Sequence, residues 1–384
     1  MIPYGSFFYF GLLLYVAILI LIGWLLGVST RRIIVGSTLL MLVVQYGLAD
    51  HAMSPAPLRA LARVFGFAIV QWVIAALFLR VRAAGKNRPA FYAAVFFSLL
   101  PLALEKFLPA RSAHVLAFVG ISYTTFRALD VIFCIQDGLI TELPLVEHLA
   151  FLLFFPTISA GPIDRYRRFH ADYIRERSKQ DLLRDLDLAT ARIFRGVLYS
   201  FVIAPLVDFY WLQPASHAAG RLAVLSYMYA YSIHLFFDFA GYSAFAIGVS
   251  YLVGVHTPEN FDRPFLARNI AEFWNRWHIS LSGWLRDHVY GRFVMAAKKG
   301  KWFTGRYTAG YFGSILAFGL MGLWHGTQLH YLVYGMYHAV LIVGHAMLAR
   351  PDRAKRIRIP MLAARVITFH AVCFGFLIFS GRLF

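Results

Sequence analysis

The sequence predicts an all-α, polytopic membrane protein of about eleven transmembrane helices, supplemented by re-entrant and interfacial helices. Three observations carry this. Of the 384 residues 60% are hydrophobic and only 15% are charged, with a mean hydropathy of +0.63, far outside the range of a water-soluble globular chain. Apolar stretches close to the roughly 20 residues needed to cross a bilayer recur along the whole chain. The loops between them are short and basic.

The first apolar run, residues 6–27, has no basic flank before it and no small-residue cleavage site after it, and it is longer than a signal-peptide core. It is expected to stay as a helix. Further spans are expected at 33–49, 62–79, 90–104, 114–135, 190–212, 222–254, 309–323, 332–348 and 361–379, with a shorter apolar piece at 145–159 that only dips into the bilayer. Basic residues gather at Arg31 and Arg32, at Arg80, Arg82, Lys86 and Arg88, and within 165–195, 298–306 and 350–358. The positive-inside rule makes these loops cytoplasmic and places the N-terminus outside. The net charge of +18 has an ordinary source in that orientation signal, and it also suits a docking surface for an acidic cytoplasmic partner. With no low-complexity linker, internal repeat or soluble segment, the chain reads as one domain, 1–384, in which 1–135 are peripheral helices and 145–345 hold the unusual chemistry.

Three segments depart from plain spans. In Phe155-Pro-Thr-Ile-Ser-Ala-Gly-Pro-Ile-Asp-Arg-Tyr-Arg-Arg-Phe169 two prolines and a glycine interrupt an apolar run, which predicts a re-entrant or interfacial turn buried against protein. In residues 268–287, Trp274, Trp277, His278, Leu281, Trp284 and Leu285 recur at helical spacing, predicting an amphipathic helix near the headgroups with tryptophan anchors. Gly319, Gly322 and Gly326 line one stripe at the end of a span, where another backbone can approach closely and space for a substrate can open.

The candidate chemistry follows from ionisable residues in apolar surroundings. His325 stands at the end of a nonpolar span, where an ionisable group is costly and marks function, and a neutral imidazole is the usual general base near pH 7. His278 comes next, with Ser282 one turn later; the competing reading is an interfacial residue filling in beside the tryptophans. Asp238, with His234 four residues earlier, is a carboxylate in an apolar run, expected either to orient a histidine or to tie two helices together. His330, His338 and His345 share a helical face with Tyr334, yet no metal or haem attachment motif accompanies them, and no metal is expected. Cys134 and Cys373 lie in separate apolar runs without metal or redox spacing. There is no nucleophile elbow, phosphate loop or dinucleotide fingerprint, so direct attack by the acceptor is favoured over an acyl-enzyme.

Gly161-Pro-Ile-Asp-Arg-Tyr-Arg-Arg-Phe169, Asp238-Phe-Ala-Gly-Tyr-Ser243, Thr257-Pro-Glu-Asn-Phe261, the stretch 269–287 and Leu323-Trp-His-Gly326 together resemble the membrane-bound O-acyltransferases, over roughly residues 150–345. Within that family, the residues after Arg286-Asp287 resemble the branch that transfers D-alanine to teichoic acid more than the alginate and peptidoglycan O-acetyltransferases, although His288 and Gly291 depart from its usual pattern. The resemblance implies a family fold and an O-acyltransferase of the bacterial cytoplasmic membrane. D-alanine would arrive as a thioester on the 4'-phosphopantetheine arm of a small acidic carrier protein docked at Arg165, Arg167 and Arg168, with no tightly bound cofactor. His325 would deprotonate an acceptor hydroxyl, while His278 and Asn275 position the carbonyl or its oxyanion. Asn275, Trp324, Ser282 and Asp238 are the expected substrate contacts. An extracytoplasmic accessory acyl-transfer protein and membrane lipid are further implied partners, with no role for nucleic acid. The 30 arginines against 7 lysines hint at a GC-rich source, leaving the final acceptor open. A transporter of an acylated intermediate, using broken helices without chemistry, is the alternative from another class.

Overall fold

A computed structural model describes residues 3–47, 56–108, 118–350 and 359–384. Among these the chain is all helical, with one isolated antiparallel bridge and no named strand. The long helices are α1 (Phe7–Leu25), α2 (Thr30–Leu42), α3 (Ala56–Ala83), α4 (Arg88–Phe107) and α5 (Ile121–Gln136). Two short ones follow, α6 (Leu145–Leu152) and α7 (Tyr166–Ile174), then α8 (Lys179–His217, interrupted by π turns) and α9 (Arg221–Val253). The remainder comprises α10 (Ile270–Trp274), α11 (Ile279–Leu285), α12 (Gly291–Lys299), α13 (Thr308–His325), α14 (Leu329–Leu348) and α15 (Met361–Phe379).

Local chemistry sets several of these boundaries. Ser6 caps α1 by accepting the Tyr9 N–H, and the helix stops where Gly27 takes a left-handed conformation. Its 19 residues rise about 28 Å, close to the thickness of the bilayer core. Asn87 caps α4 in the same way through the Ala90 N–H.

Among the described residues, seven helices are long and apolar enough to cross a membrane: α1, α3, α4, α8, α9, α14 and α15. Each expected span has a helix, but α2 has 13 residues and α5 has 16, and α13 is less apolar, so length and composition alone do not bring the count to eleven. Residues 48, 49 and 114–117 of two expected spans, and 351–358 of the last basic loop, lie outside the described residues.

The chain divides into two compact units, Met1–Gly196 with Tyr242–Pro258, and Val197–Gly241 with Glu259–Phe384. In the first, α6 is far too short to span a bilayer, and the expected turn at 155–169 proves to be a single 3₁₀ turn, then irregular and largely buried backbone over 158–165, then the first turn of α7. Such backbone needs partners. Arg127, wholly buried on α5, supplies them: its guanidinium donates to the carbonyls of Phe151 (3.1 Å), Leu152 (3.2 Å) and Thr157 (2.6 Å) and to the Thr157 hydroxyl. Tyr4 adds an O–H bond to the Pro156 carbonyl at 3.1 Å.

In the second unit the expected amphipathic helix over 268–287 does not form in one piece. It breaks into α10 and α11 because the chain at 260–262 pairs with the intervening residues: Asp262 N–H donates to the Arg276 carbonyl, Ile279 N–H donates to the Asn260 carbonyl, and Phe261 bridges Trp277. These bonds capture the backbone that a continuous helix would need. The tryptophans are core residues rather than headgroup anchors, since Trp274, Trp277 and Trp284 are all buried.

The glycine stripe on α13 does bring a second backbone close. A Cβ at Gly322 would lie 2.5 Å from the Tyr331 carbonyl oxygen, and one at Gly335 of α14 would lie 2.3 Å from that of Phe318. The room that the glycines open is therefore filled by α14, not held for a substrate; at Gly326 it is filled by the Tyr331 ring.

Candidate active site

His278 is held at the break between α10 and α11, outside the seven spans, with a left-handed backbone (φ +44°, ψ +51°). Non-glycine residues in this region cost on the order of 1–3 kcal/mol and persist only where the surroundings enforce them. Here the enforcement is the pairing with 260–262. The imidazole is buried, packs edge-on against Phe239 at 4.8 Å between ring centres, and lies 6.3 Å from the Trp324 ring. Its Nδ1 is 3.3 Å from Asn260 Oδ1, while Nε2 is buried with no hydrogen-bond partner. Burial and, secondarily, the charge of nearby His325 push the imidazole pKa down to about 3, so the ring is neutral at physiological pH.

His325 is the last residue of α13, which ends because Gly326 is fully extended. Its ring is half-buried among aromatics: Trp324 at 4.6 Å, Phe379 of α15 at 4.9 Å, and Tyr334 and Tyr331 of α14 at 6.0 and 6.2 Å. The fold thus brings His278, Trp324 and His325 together from segments far apart in sequence.

The other expected residues fare differently. Asn275 is exposed at the C-terminal cap of α10, with no side-chain bond among the described residues. Ser282, expected as a substrate contact, turns its hydroxyl back onto the Trp277 carbonyl at 3.2 Å. Asp238 is exposed, and among the described residues its carboxylate takes no partner, neither a histidine nor a neighbouring helix; His234 bonds the Ala204 carbonyl. The residue of that motif which reaches the imidazole is the next one, Phe239. His338 is buried and accepts from Trp274 Nε1 at 3.3 Å, whereas half-buried His330 bonds Gln328; among the described residues no three His, Cys, Asp or Glu side chains group as metal ligands.

In the first unit, Arg165 pairs with Asp130 at 2.8 Å, and Arg168 pairs with Asp164 and with Asp172 (2.9 Å) and bonds the His256 carbonyl. Both help to build the loop. Arg167 is exposed and has no partner among the described residues.

One residue of the site carried no role in the sequence reading. Asn260, in Thr257-Pro-Glu-Asn-Phe261, is wholly buried, and its Oδ1 also accepts from the Ser280 hydroxyl (2.6 Å) and the Ser280 N–H (3.4 Å). The motif was the available signal, but its contact with His278 depends on a chain pairing that spacing does not disclose.

The profile of the membrane-bound O-acyltransferase family matches residues 91–381, three quarters of the chain. The chain belongs to that family. Among curated members, it is 41% identical to the teichoic acid D-alanyltransferase of Bacillus subtilis, covering 100% of this chain and 99% of the relative. It is also 41% identical to that of Lacticaseibacillus rhamnosus, over 79% of this chain and 80% of the relative. Against the probable alginate O-acetylase of Pseudomonas aeruginosa identity is 32%, over 71% of this chain but 51% of the relative. As a membrane-bound O-acyltransferase, the chain is a membrane enzyme, and the pair of imidazoles beside Trp324 is its candidate centre for proton transfer.

Proposed function

We propose that this protein transfers D-alanine from a carrier-protein thioester to a hydroxyl acceptor, in the D-alanylation of teichoic acid or another envelope polymer, in the bacterial cytoplasmic membrane. The observation that carries the reading is the 41% identity running end to end with a teichoic acid D-alanyltransferase, against partial coverage of the alginate O-acetylases. The reaction forms a carbon–oxygen bond and breaks the thioester carbon–sulfur bond, so the protein must accept the hydroxyl proton and stabilise charge on the carbonyl oxygen. Two imidazoles on one tryptophan supply groups for both tasks.

The donor is the 4'-phosphopantetheine arm of an acidic carrier protein, and an extracytoplasmic accessory acyl-transfer protein takes the product onward. Exposed Arg167 supports carrier docking from the cytoplasmic side; Arg165 and Arg168 contribute by shaping its loop. Holding thioester and hydroxyl at one buried point supplies about 7–11 kcal/mol of the rate.

The test is release of radiolabelled D-alanine from its carrier thioester by membranes containing wild-type or His325→Ala protein, with carrier binding measured in parallel. Transfer that is lost in the variant while binding persists is the expected result. Equal transfer in both, or an ester of acetate in place of D-alanine, refutes the proposal.

A further inference from the structure

The two imidazoles at Trp324 are chemically unequal, and hydrogen bonding decides how. Asn260 Oδ1 is identified as the oxygen of that amide because the Ser280 backbone N–H, an obligatory donor, points at it together with the Ser280 hydroxyl. An oxygen in that position can only accept. The proton of His278 therefore sits on Nδ1, donated to Asn260, and Nε2 is left with a lone pair, buried and without a partner. A neutral imidazole in this tautomer can take a proton at Nε2 and has none there to give. His325 is not held in this way: it closes α13 with its ring against Trp324, and an imidazole in either protonation state carries an N–H that it can donate.

We infer that Asn260 is a positioning residue that fixes the His278 tautomer, that Nε2 of His278 takes the proton of the acceptor hydroxyl, and that His325 is the hydrogen-bond donor to the oxyanion. The inference rests on the acyl-transfer reading and reverses the role that the Trp-His-Gly motif by itself assigns to His325. In the step, the hydroxyl oxygen bonds to the thioester carbon, its proton passes to His278 Nε2, and the carbonyl electron pair moves onto oxygen against His325 N–H. Collapse of that intermediate breaks the carbon–sulfur bond, and the departing sulfur takes the proton from His278 to leave as a thiol. His278 returns to its starting form.

Among the described residues, the titratable group that bears on His278 is His325; Asn260, Ser280, Phe239 and Trp324 around it carry no charge. A carboxylate at position 260 would still accept from Nδ1 and would favour the imidazolium. Asn260→Asp is therefore expected to keep turnover within about tenfold of wild type while moving the acid limb of kcat/KM up by a pH unit or more, because His278 must be neutral to work. Asn260→Leu, which releases the tautomer, is expected to lower kcat by tenfold to a hundredfold with little change in KM for the charged carrier. Ser280→Ala, which removes one donor to Oδ1, should fall between wild type and Asn260→Leu, and it carries the test with Asn260→Asp if Asn260→Leu does not fold. An unmoved acid limb in Asn260→Asp, or a Ser280→Ala or folded Asn260→Leu protein with wild-type kcat, overturns the inference. Wild-type protein that releases no D-alanine would sink the D-alanyl assignment alone, and the same pH profiles run with an acetyl thioester would then decide the role of Asn260.

Discussion

The contact between α13 and α14 is the tightest backbone approach beside the candidate site, and Gly335→Ala tests what it does. A methyl group at Gly335 would sit 2.3 Å from the Phe318 carbonyl oxygen and 3.2 Å from the Gly322 backbone, where ordinary contacts begin near 3.4 Å. Backbone on both sides cannot rotate away, so the helices must separate by about 1 Å, at an overpacking cost of roughly 1–3 kcal/mol. His325 lies two turns beyond Phe318 on the same helix, and its ring packs on Tyr331 and Tyr334 of the other. Displacing it by that distance from the reacting atoms should reduce turnover by about a hundredfold. Gly319→Ala is the matched control, because its methyl would meet Met336 Sδ at 3.9 Å, an ordinary contact. The assay is release of D-alanine from the carrier thioester, alongside the thermal midpoint in detergent. A Gly335→Ala protein with turnover equal to that of Gly319→Ala would refute the claim that this backbone approach places His325.

Replacing Arg127 with Leu should cost several kcal/mol, because the buried carbonyls of Phe151, Leu152 and Thr157 lose their donor at about 1–3 kcal/mol each, and a wild-type thermal midpoint would contradict this. Arg167→Glu should weaken carrier binding in a salt-dependent way at unchanged stability, whereas Arg168→Glu should destabilise by opposing Asp164 and Asp172; equal effects on carrier binding and melting from both would show that the loop, not Arg167, matters. His278 titrates near 3 when folded and near 6.5 when unfolded, so the stability from keeping it neutral is complete above about pH 6.5 and declines as pH falls toward 3. His278→Gln should flatten the melting profile across that window, and an unchanged slope would argue against the burial of a neutral imidazole.

The sequence by itself determined the class of the protein and most of its helices. Apolar runs of spanning length have one stable arrangement in lipid, and every such run is a helix wherever it is described. Motif residues likewise pointed to His278 and His325, because ionisable groups in apolar segments are few and costly. Tertiary structure decided what those residues face. The apolar periodicity of 268–287 is compatible with one long helix, and only the backbone pairing with 260–262 breaks it, buries Trp274 and Trp277, and turns His278 toward Asn260. Periodicity also could not say which member of the Asp238 motif meets the imidazole. One residue along a helix rotates the contact by about 100°, enough to leave Asp238 exposed and bring Phe239 into the site. The tautomer of His278, on which the division of labour between the two histidines turns, depends on a single hydrogen bond between residues 18 positions apart. Spacing in the chain holds no record of such a bond, because it arises only when the two segments pack.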